Sequence, residues 1–478
     1  MGLGSAQRIG LFLGPALALG MVVLGTPDGL TFAAWATAAL MVWMAVWWST
    51  EVIPIPATSL LPLAVLPLIG AATNAEAASG YASPIVLLLL GGFVIALGIE
   101  RWDLHKRIAL GVVATVGGGQ RGLVLGFMVA TAGLSMWISN TATTLMMVPI
   151  ALSAAAALDE QDRRFAVALL LGVCYAASIG GVATPIGTPT NLIAKDWLEE
   201  NAGATIGYLQ WMAFGVPALA LLVPAAWWSV TRDLGVHTNA AQALEDIRRQ
   251  RAGLGPITAP EARVAIVFGV VALLWVARVP LQSWAAGQGV QWVASISDMG
   301  IAIAGAVIMF LVPAGGSAKR ALLNWEEAVR LPWGVLILFG GGISLGRAIT
   351  RTGLSAWIGE QLAILSAVPP IVFVAIVVLL VIFLTELTSN VATMTTLAPI
   401  LGALATAVGT APASLLGPAA VAASCAFMLP VATAPNAIIY ATDRVSVGEM
   451  IRAGFRVNLI GVMIITAVGY FIAPMVLG

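Results

Sequence analysis

From Gly122 to Leu158 the chain runs 37 residues without one charge. A helix crosses a bilayer in about 20 apolar residues, so this stretch is too long for one crossing and too short for two with a loop. Its centre is polar: ISNTATTLMMVP occupies positions 138–149, and TSNVATMTTLAP repeats the pattern at 388–399. The second copy sits in a similar segment, 361–407, where Glu386 is the only charge. Two further apolar stretches, 165–194 and 414–442, are broken by TPIGTPTN and VATAPNA. Lipid cannot satisfy free backbone N–H and C=O groups, so non-helical backbone at membrane depth is buried in protein or lines a cavity. These four segments therefore point to a binding site.

The rest of the chain reads as membrane helix. With 478 residues, 60% hydrophobic and 9% charged, the polar residues are too few to cover a water-soluble fold. Apolar runs at 9–27, 30–50, 53–72, 84–99, 208–230, 262–281, 295–313, 333–350 and 453–477 read as spans, the first as a span rather than a secretory signal. The longest polar stretch, 231–262, reads as a linker. A net charge of zero gives no reason to expect nucleic acid. Cys174 and Cys425 lie in apolar segments, and His105 and His237, both expected in loops, make no metal cluster.

Lysine and arginine set the orientation. If the N-terminus is cytoplasmic and the uncharged segments are re-entrant hairpins, 18 of the 22 basic residues fall on the cytoplasmic side, leaving Lys195, Arg278, Arg347 and Arg351 outside. The expected fold is all-α and polytopic, with about eleven transmembrane helices, two re-entrant hairpins and the C-terminus outside.

The two polar knots share a register. At an offset of 250, Gly91, Gly92, Arg101 and Leu104 meet Gly341, Gly342, Arg351 and Leu354, while Ser139, Asn140, Ala142, Thr143 and Pro149 meet Ser389, Asn390, Ala392, Thr393 and Pro399. That is a duplication, and the topology makes its halves inverted. Inverted repeats with broken helices at their interface mark secondary transporters.

At each hairpin tip the carbonyl end of one half-helix would meet the amide end of the next, so a cation and an anion can lie side by side. One helical turn before each Ser-Asn lies another hydroxyl, Ser135 or Thr385. Hydroxyls, an Asn carbonyl and backbone carbonyls are hard oxygen ligands of the kind sodium prefers. Taken singly, such clusters are helix caps or interhelical hydrogen bonds; two in register favour a site. The hairpins and breaks carry no Lys or Arg, apart from Lys195 at one helix end. A bound anion would thus need cations to offset its charge. Glu386 would either tune a cation or hydrogen-bond its own hairpin.

WWSTEVIPIPATSLLPLAVLP at 47–67, the paired Ser-Asn tips and TELTSNVAT at 385–393 resemble the divalent anion/sodium symporter family over essentially the whole chain. The resemblance implies an inner-membrane homodimer in which a scaffold carries an elevator-type transport domain that moves a di- or tricarboxylate with Na+. Scaffold helices would occupy 1–120 and 263–360, transport elements 121–230 and 361–478, and the linker 231–262. One sodium site would use Ser135, Ser139, Asn140 and the Gly187 backbone; the other would use Thr385, Thr388, Asn390 and the Ala432 backbone. Substrate would meet Asn140, Thr141, Thr188, Ser389, Asn390 and Thr433. This chain departs from the family pattern at Val391, where a Thr is expected, and at Ala434, where the Pro-Pro form of the loop has its first Pro.

The expected cargo is of the succinate, malate or fumarate type. A sodium-independent exchanger and a citrate or sulfate carrier of the same family are the alternatives. A proton-coupled exporter has only Glu386 as an obvious proton carrier. An enzyme would need a nucleophile–base pair or a buried acidic pair that the sequence does not suggest.

Overall fold

The computed structural model describes residues 5–116, 119–156, 163–234, 241–315, 318–362 and 368–478. Among them eight helices are long and apolar enough to cross a membrane, accompanied by six shorter apolar helices.

One series of elements occurs twice. Helix Pro84–Arg101 leads through the shorter Leu104–Val116 to a helical hairpin, Gly119–Ser135 and Asn140–Ala156. A broken helix follows, with halves Arg163–Gly181 and Pro189–Asn201, and then Tyr208–Thr231. The second series is Trp333–Arg351, Leu354–Leu362, the hairpin Pro370–Thr385 and Asn390–Ala407, the broken helix Ala413–Ala423 and Ala434–Tyr440, and Val447–Phe471.

Local chemistry explains the interruptions. The second arm of each hairpin begins with the serine carbonyl accepting from a backbone amide, Thr143 to Ser139 at 3.0 Å and Thr393 to Ser389 at 2.8 Å. Each broken helix restarts after an extended threonine, Thr188 (φ −142°, ψ 144°) or Thr433 (φ −143°, ψ 157°), with proline in the first turn, where its missing N–H costs nothing.

The broken helices lock the two repeats together. Pro189–Asn201 packs on Asn390–Ala407 and Ala413–Ala423, while Ala434–Tyr440 packs on Asn140–Ala156 and Arg163–Gly181. Tyr208–Thr231 and Val447–Phe471 run against each other beside them. Small residues allow this closeness. A Cβ at Gly180 would collide with the Ala132 carbonyl, and one at Gly454 with that of Phe427.

Several expectations need correction. The run 53–72 is interrupted into two short helices, Ile55–Thr58 and Leu61–Leu68, because Pro62 has no amide to give to the Thr58 carbonyl across the break. The break is held by Trp48, whose Nε1 donates to Ser59 Oγ at 3.1 Å. The stretch 231–262 is more than a linker: it contains helix Ala241–Gly253, which buries Ala243 and Ile247 one turn apart, and the capped start of Ala259–Gly287. His105 is not in a loop. It is buried in Leu104–Val116 with Nδ1 3.0 Å from the Ile99 carbonyl oxygen; His237 lies outside the described residues. An unanticipated antiparallel pair, Pro313–Gly315 with Ala318–Ala321, follows helix Asp298–Leu311.

Candidate functional site

The two hairpin tips carry the same hydrogen-bond pattern. Ser135 Oγ lies 2.7 Å from Asn140 Oδ1 and 2.7 Å from the Ala177 carbonyl oxygen. Thr385 Oγ1 lies 2.7 Å from Asn390 Oδ1 and 2.9 Å from the Ala423 carbonyl oxygen. A hydroxyl has one proton, so at each tip three oxygens converge on a single hydrogen. Such a knot is rich in lone pairs and poor in donors, which suits a hard cation.

Backbone from the first break joins the first knot. A Cβ built on Gly181 would sit 2.7 Å from Asn140 Oδ1, 3.1 Å from the Gly187 carbonyl oxygen and 3.2 Å from Thr188 Cβ. Ser135, Asn140, Gly187 and Thr188 are thus brought together, in a space only a glycine leaves open. Ser139 is not drawn into this bonding: it is exposed, and its Oγ accepts from the Ala142 amide at 3.3 Å, a helix cap. Thr141 is exposed on the same tip.

At the second tip Thr388 Oγ1 donates to the Leu384 carbonyl at 3.0 Å and contacts Thr393 Oγ1 at 2.5 Å, while Ser389 makes no capping bond with its side chain. Thr433 Oγ1 accepts from the Asn436 amide at 3.2 Å, and Ala432 is buried in the break. Val391 is partly buried and packs against apolar neighbours.

The breaks themselves are tied in matching ways. Asn191 Nδ2 donates to the carbonyls of Gly181 (2.9 Å) and Thr184 (2.7 Å); Asn436 Nδ2 donates to those of Ala426 (3.0 Å) and Leu429 (2.8 Å). An amide that holds two carbonyls fixes where the unwound backbone points its remaining groups.

The repeats differ just after Ser135 and Thr385. In the first, the Met136 carbonyl accepts from the Thr184 hydroxyl. In the second, buried Glu386 accepts from the amides of Phe427 (2.8 Å), Met428 (2.9 Å) and Leu429 (3.1 Å) and from Asn458 Nδ2 (2.8 Å). Glu386 therefore bonds the second broken helix and the last long helix rather than its own hairpin, which was one of the two roles open to it. Every contact is from a donor, which is the surrounding of an ionised carboxylate. Asn458 had no sequence signal beyond being a polar residue inside an apolar run.

A second unforeseen feature flanks the first tip. Trp137 stacks on Tyr208 (centroids 6.0 Å apart), which stacks on Trp275 (4.9 Å). Each ring comes from a different helix or turn, so the stack pins the tip laterally.

At the far end of Pro189–Asn201, Arg347 of Trp333–Arg351 grips Glu200, with Nε 2.9 and 3.0 Å from the two carboxylate oxygens, and Nη1 donates to Ser79 Oγ at 3.1 Å. Partly buried Asp196 lines a pocket with Glu200 and Arg347, and burial, with Glu200 alongside, pushes its carboxyl up to about 7.

Comparison with known proteins agrees over the whole chain. The family model described as the sodium:sulfate symporter transmembrane region matches residues 5–477. A Staphylococcus saprophyticus protein named sodium-dependent dicarboxylate transporter SdcS is 40% identical over 485 residues, covering 99% of this chain and 92% of its own length. A protein of the same name from Staphylococcus aureus strain MRSA252 is 41% identical over 494 residues, with the same coverage. Two solved structures share the fold at 16% identity. The Alcanivorax borkumensis YdaH transporter superposes with a TM-score of 0.58 over 92% of this chain and 99% of that one. Neisseria gonorrhoeae MtrF, described with a class of antimetabolite efflux pumps, gives 0.59 over 99% and 98%. The chain is a multi-pass membrane protein and belongs to the sodium:sulfate symporter family.

Proposed function

We propose that this protein imports dicarboxylates of the succinate, malate and fumarate type together with sodium. The observation that carries the reading is the doubled oxygen knot, Ser135–Asn140–Ala177 and Thr385–Asn390–Ala423, at tips whose sequences carry no basic side chain. The relatives named for sodium-dependent dicarboxylate transport support the choice of ion and cargo.

The two knots serve as cation sites, one from Ser135, Ser139, Asn140 and the Gly187 backbone, the other from Thr385, Thr388, Asn390 and the Ala432 backbone. The anion lies between the tips, held by Asn140, Thr141, Thr188, Ser389, Asn390 and Thr433. A dianion in a site without Lys or Arg is costly, and the sodium ions supply the compensating charge. Binding of ions and substrate is thereby coupled: neither is stable in the site without the other.

The wider arrangement follows the same reading. About eleven helices span the inner membrane with the N-terminus cytoplasmic, and the two hairpins enter without crossing. Residues 121–230 and 361–478 move as a transport body against scaffold helices 1–120 and 263–360 in a homodimer. The cross-packing of the broken helices supports a single moving body.

Radiolabelled succinate uptake into proteoliposomes tests the proposal. Uptake under an inward sodium gradient, lost when choline replaces sodium and independent of internal succinate, is the expected result. Uptake that ignores sodium and requires internal succinate would make the protein an exchanger and overturn it.

A further inference from the structure

Helix Ala241–Gly253 lies against Leu104–Val116 and the end of the first hairpin. Its two flanks differ in charge. On one, Glu245 and Asp246 both face Arg249, at 3.6 Å each, and neutralise it. On the other, Arg248 and Arg251 stand three residues apart, on one helical face. Among the described residues neither has an acidic partner.

These two arginines line an open depression of about 470 Å³ together with Ala252 of their own helix and with Arg107, Ala114 and Gly255. Arg107 is already oriented: it pairs with Glu261 at 3.0 Å and donates to the carbonyls of Leu254, Gly255 and Pro256. With Glu261 offsetting Arg107, the wall keeps two uncompensated positive charges. Ala114, Ala252 and Gly255 leave room in front of them.

We propose that this depression binds the phosphate of an anionic lipid headgroup. Guanidinium forks bind phosphate oxygens in pairs, and two forks on one helix face present that geometry. The rim argues for a lipid. Ile108, which follows Arg107 in the chain, and Ile257, which follows Pro256, are exposed apolar side chains that offer acyl chains a surface. On the proposed orientation this face is cytoplasmic, where anionic lipids attract basic clusters. The site bridges the segment joining the two repeats and the helix leading into the first hairpin, so a bound lipid ties the two together.

Thermal unfolding of the purified full-length protein with added lipid tests this without reference to transport. Phosphatidylglycerol should raise Tm more than phosphatidylcholine does in the wild type and in Arg249→Gln. The Arg248→Gln/Arg251→Gln double variant should need about thirtyfold more phosphatidylglycerol for the same rise, the equivalent of about 1 kcal/mol of surface attraction per arginine. All three arginines are on the exposed side of their helix, away from buried Ala243 and Ile247, so the variants should fold, and Ala252→Glu, which places an acid in the depression, provides an independent block. No difference between the two lipids in the wild type, or an equal response from the double variant and Arg249→Gln, would overturn the proposal. A full response to inorganic phosphate or glycerol phosphate alone would also overturn it, in favour of a soluble anion.

Discussion

Asn458 Nδ2 donates to Glu386 Oε1 at 2.8 Å, and both residues are buried. The bond ties the last long helix to the tip of the second hairpin, while the same carboxylate gathers the amides of residues 427–429. A hydrogen bond to an ionised buried group is worth about 1.5–3 kcal/mol, and replacing the donor with a like charge costs more than removing it. Asn458→Asp should therefore lower Tm in detergent further than Asn458→Ala does, although it changes the shape less. Equal losses in the two variants would mean that Glu386 is neutral in the folded protein.

Asn140 and Asn390 each place a carbonyl oxygen 2.7 Å from a hydroxyl that also faces a main-chain carbonyl. Alanine at either position removes one oxygen of the three and should abolish succinate uptake while leaving the Tm without sodium within a few degrees. Uptake near the wild-type rate in either variant, measured in proteoliposomes at matched protein, would remove that knot from the cation path.

How much of this could be read from the residues depends on the range of the interaction. The hairpin turns and helix breaks were legible because they follow local rules: an uncharged run too long for one span, a Ser-Asn in its middle, a Pro in the first turn after a break. The clustering of Ser135 with Asn140 is also local, five residues apart. Glu386 was legible only as an anomaly. Its partners lie 41 to 72 residues away, and nothing in the spacing of the chain brings Asn458 to it. The run 53–72 was legible as apolar but not as interrupted, since hydropathy hides the turn that Pro62 imposes between Thr58 and Leu61. His105 looked like a loop residue because charged neighbours surround it, yet its ring turns inward onto Ile99.

Val391 breaks the match between the tips, standing where the first repeat has Thr141. Its side chain is partly buried against apolar neighbours. Val391→Thr adds a hydroxyl of nearly the same volume, so expression and Tm should change little. If the position faces cargo, competition of labelled succinate uptake by citrate against malate should shift several-fold, because one hydrogen bond to a carboxylate is worth about 1.5 kcal/mol or more. An unchanged inhibition profile would show that this side chain does not reach the substrate.

Asp196 sets a pH dependence at the Arg347–Glu200 contact. Burial, with Glu200 beside it, raises its carboxyl from 3.8 to about 7, while Arg347 pulls the other way. Between about pH 4 and pH 7 the folded protein therefore holds a proton that the unfolded chain has released. The sign follows from linkage: this group's stabilising contribution is complete below pH 4, declines as pH rises through 7, and is constant above that. Asp196→Asn mimics the protonated form at all pH values and removes the decline. Measured in detergent, the difference in Tm between Asp196→Asn and the wild type should grow from pH 5 to pH 8. A difference that is flat across that range would mean that Asp196 is already ionised at pH 5. Arg347, rather than burial, would then govern its charge, and the grip on Glu200 would be shared between two carboxylates.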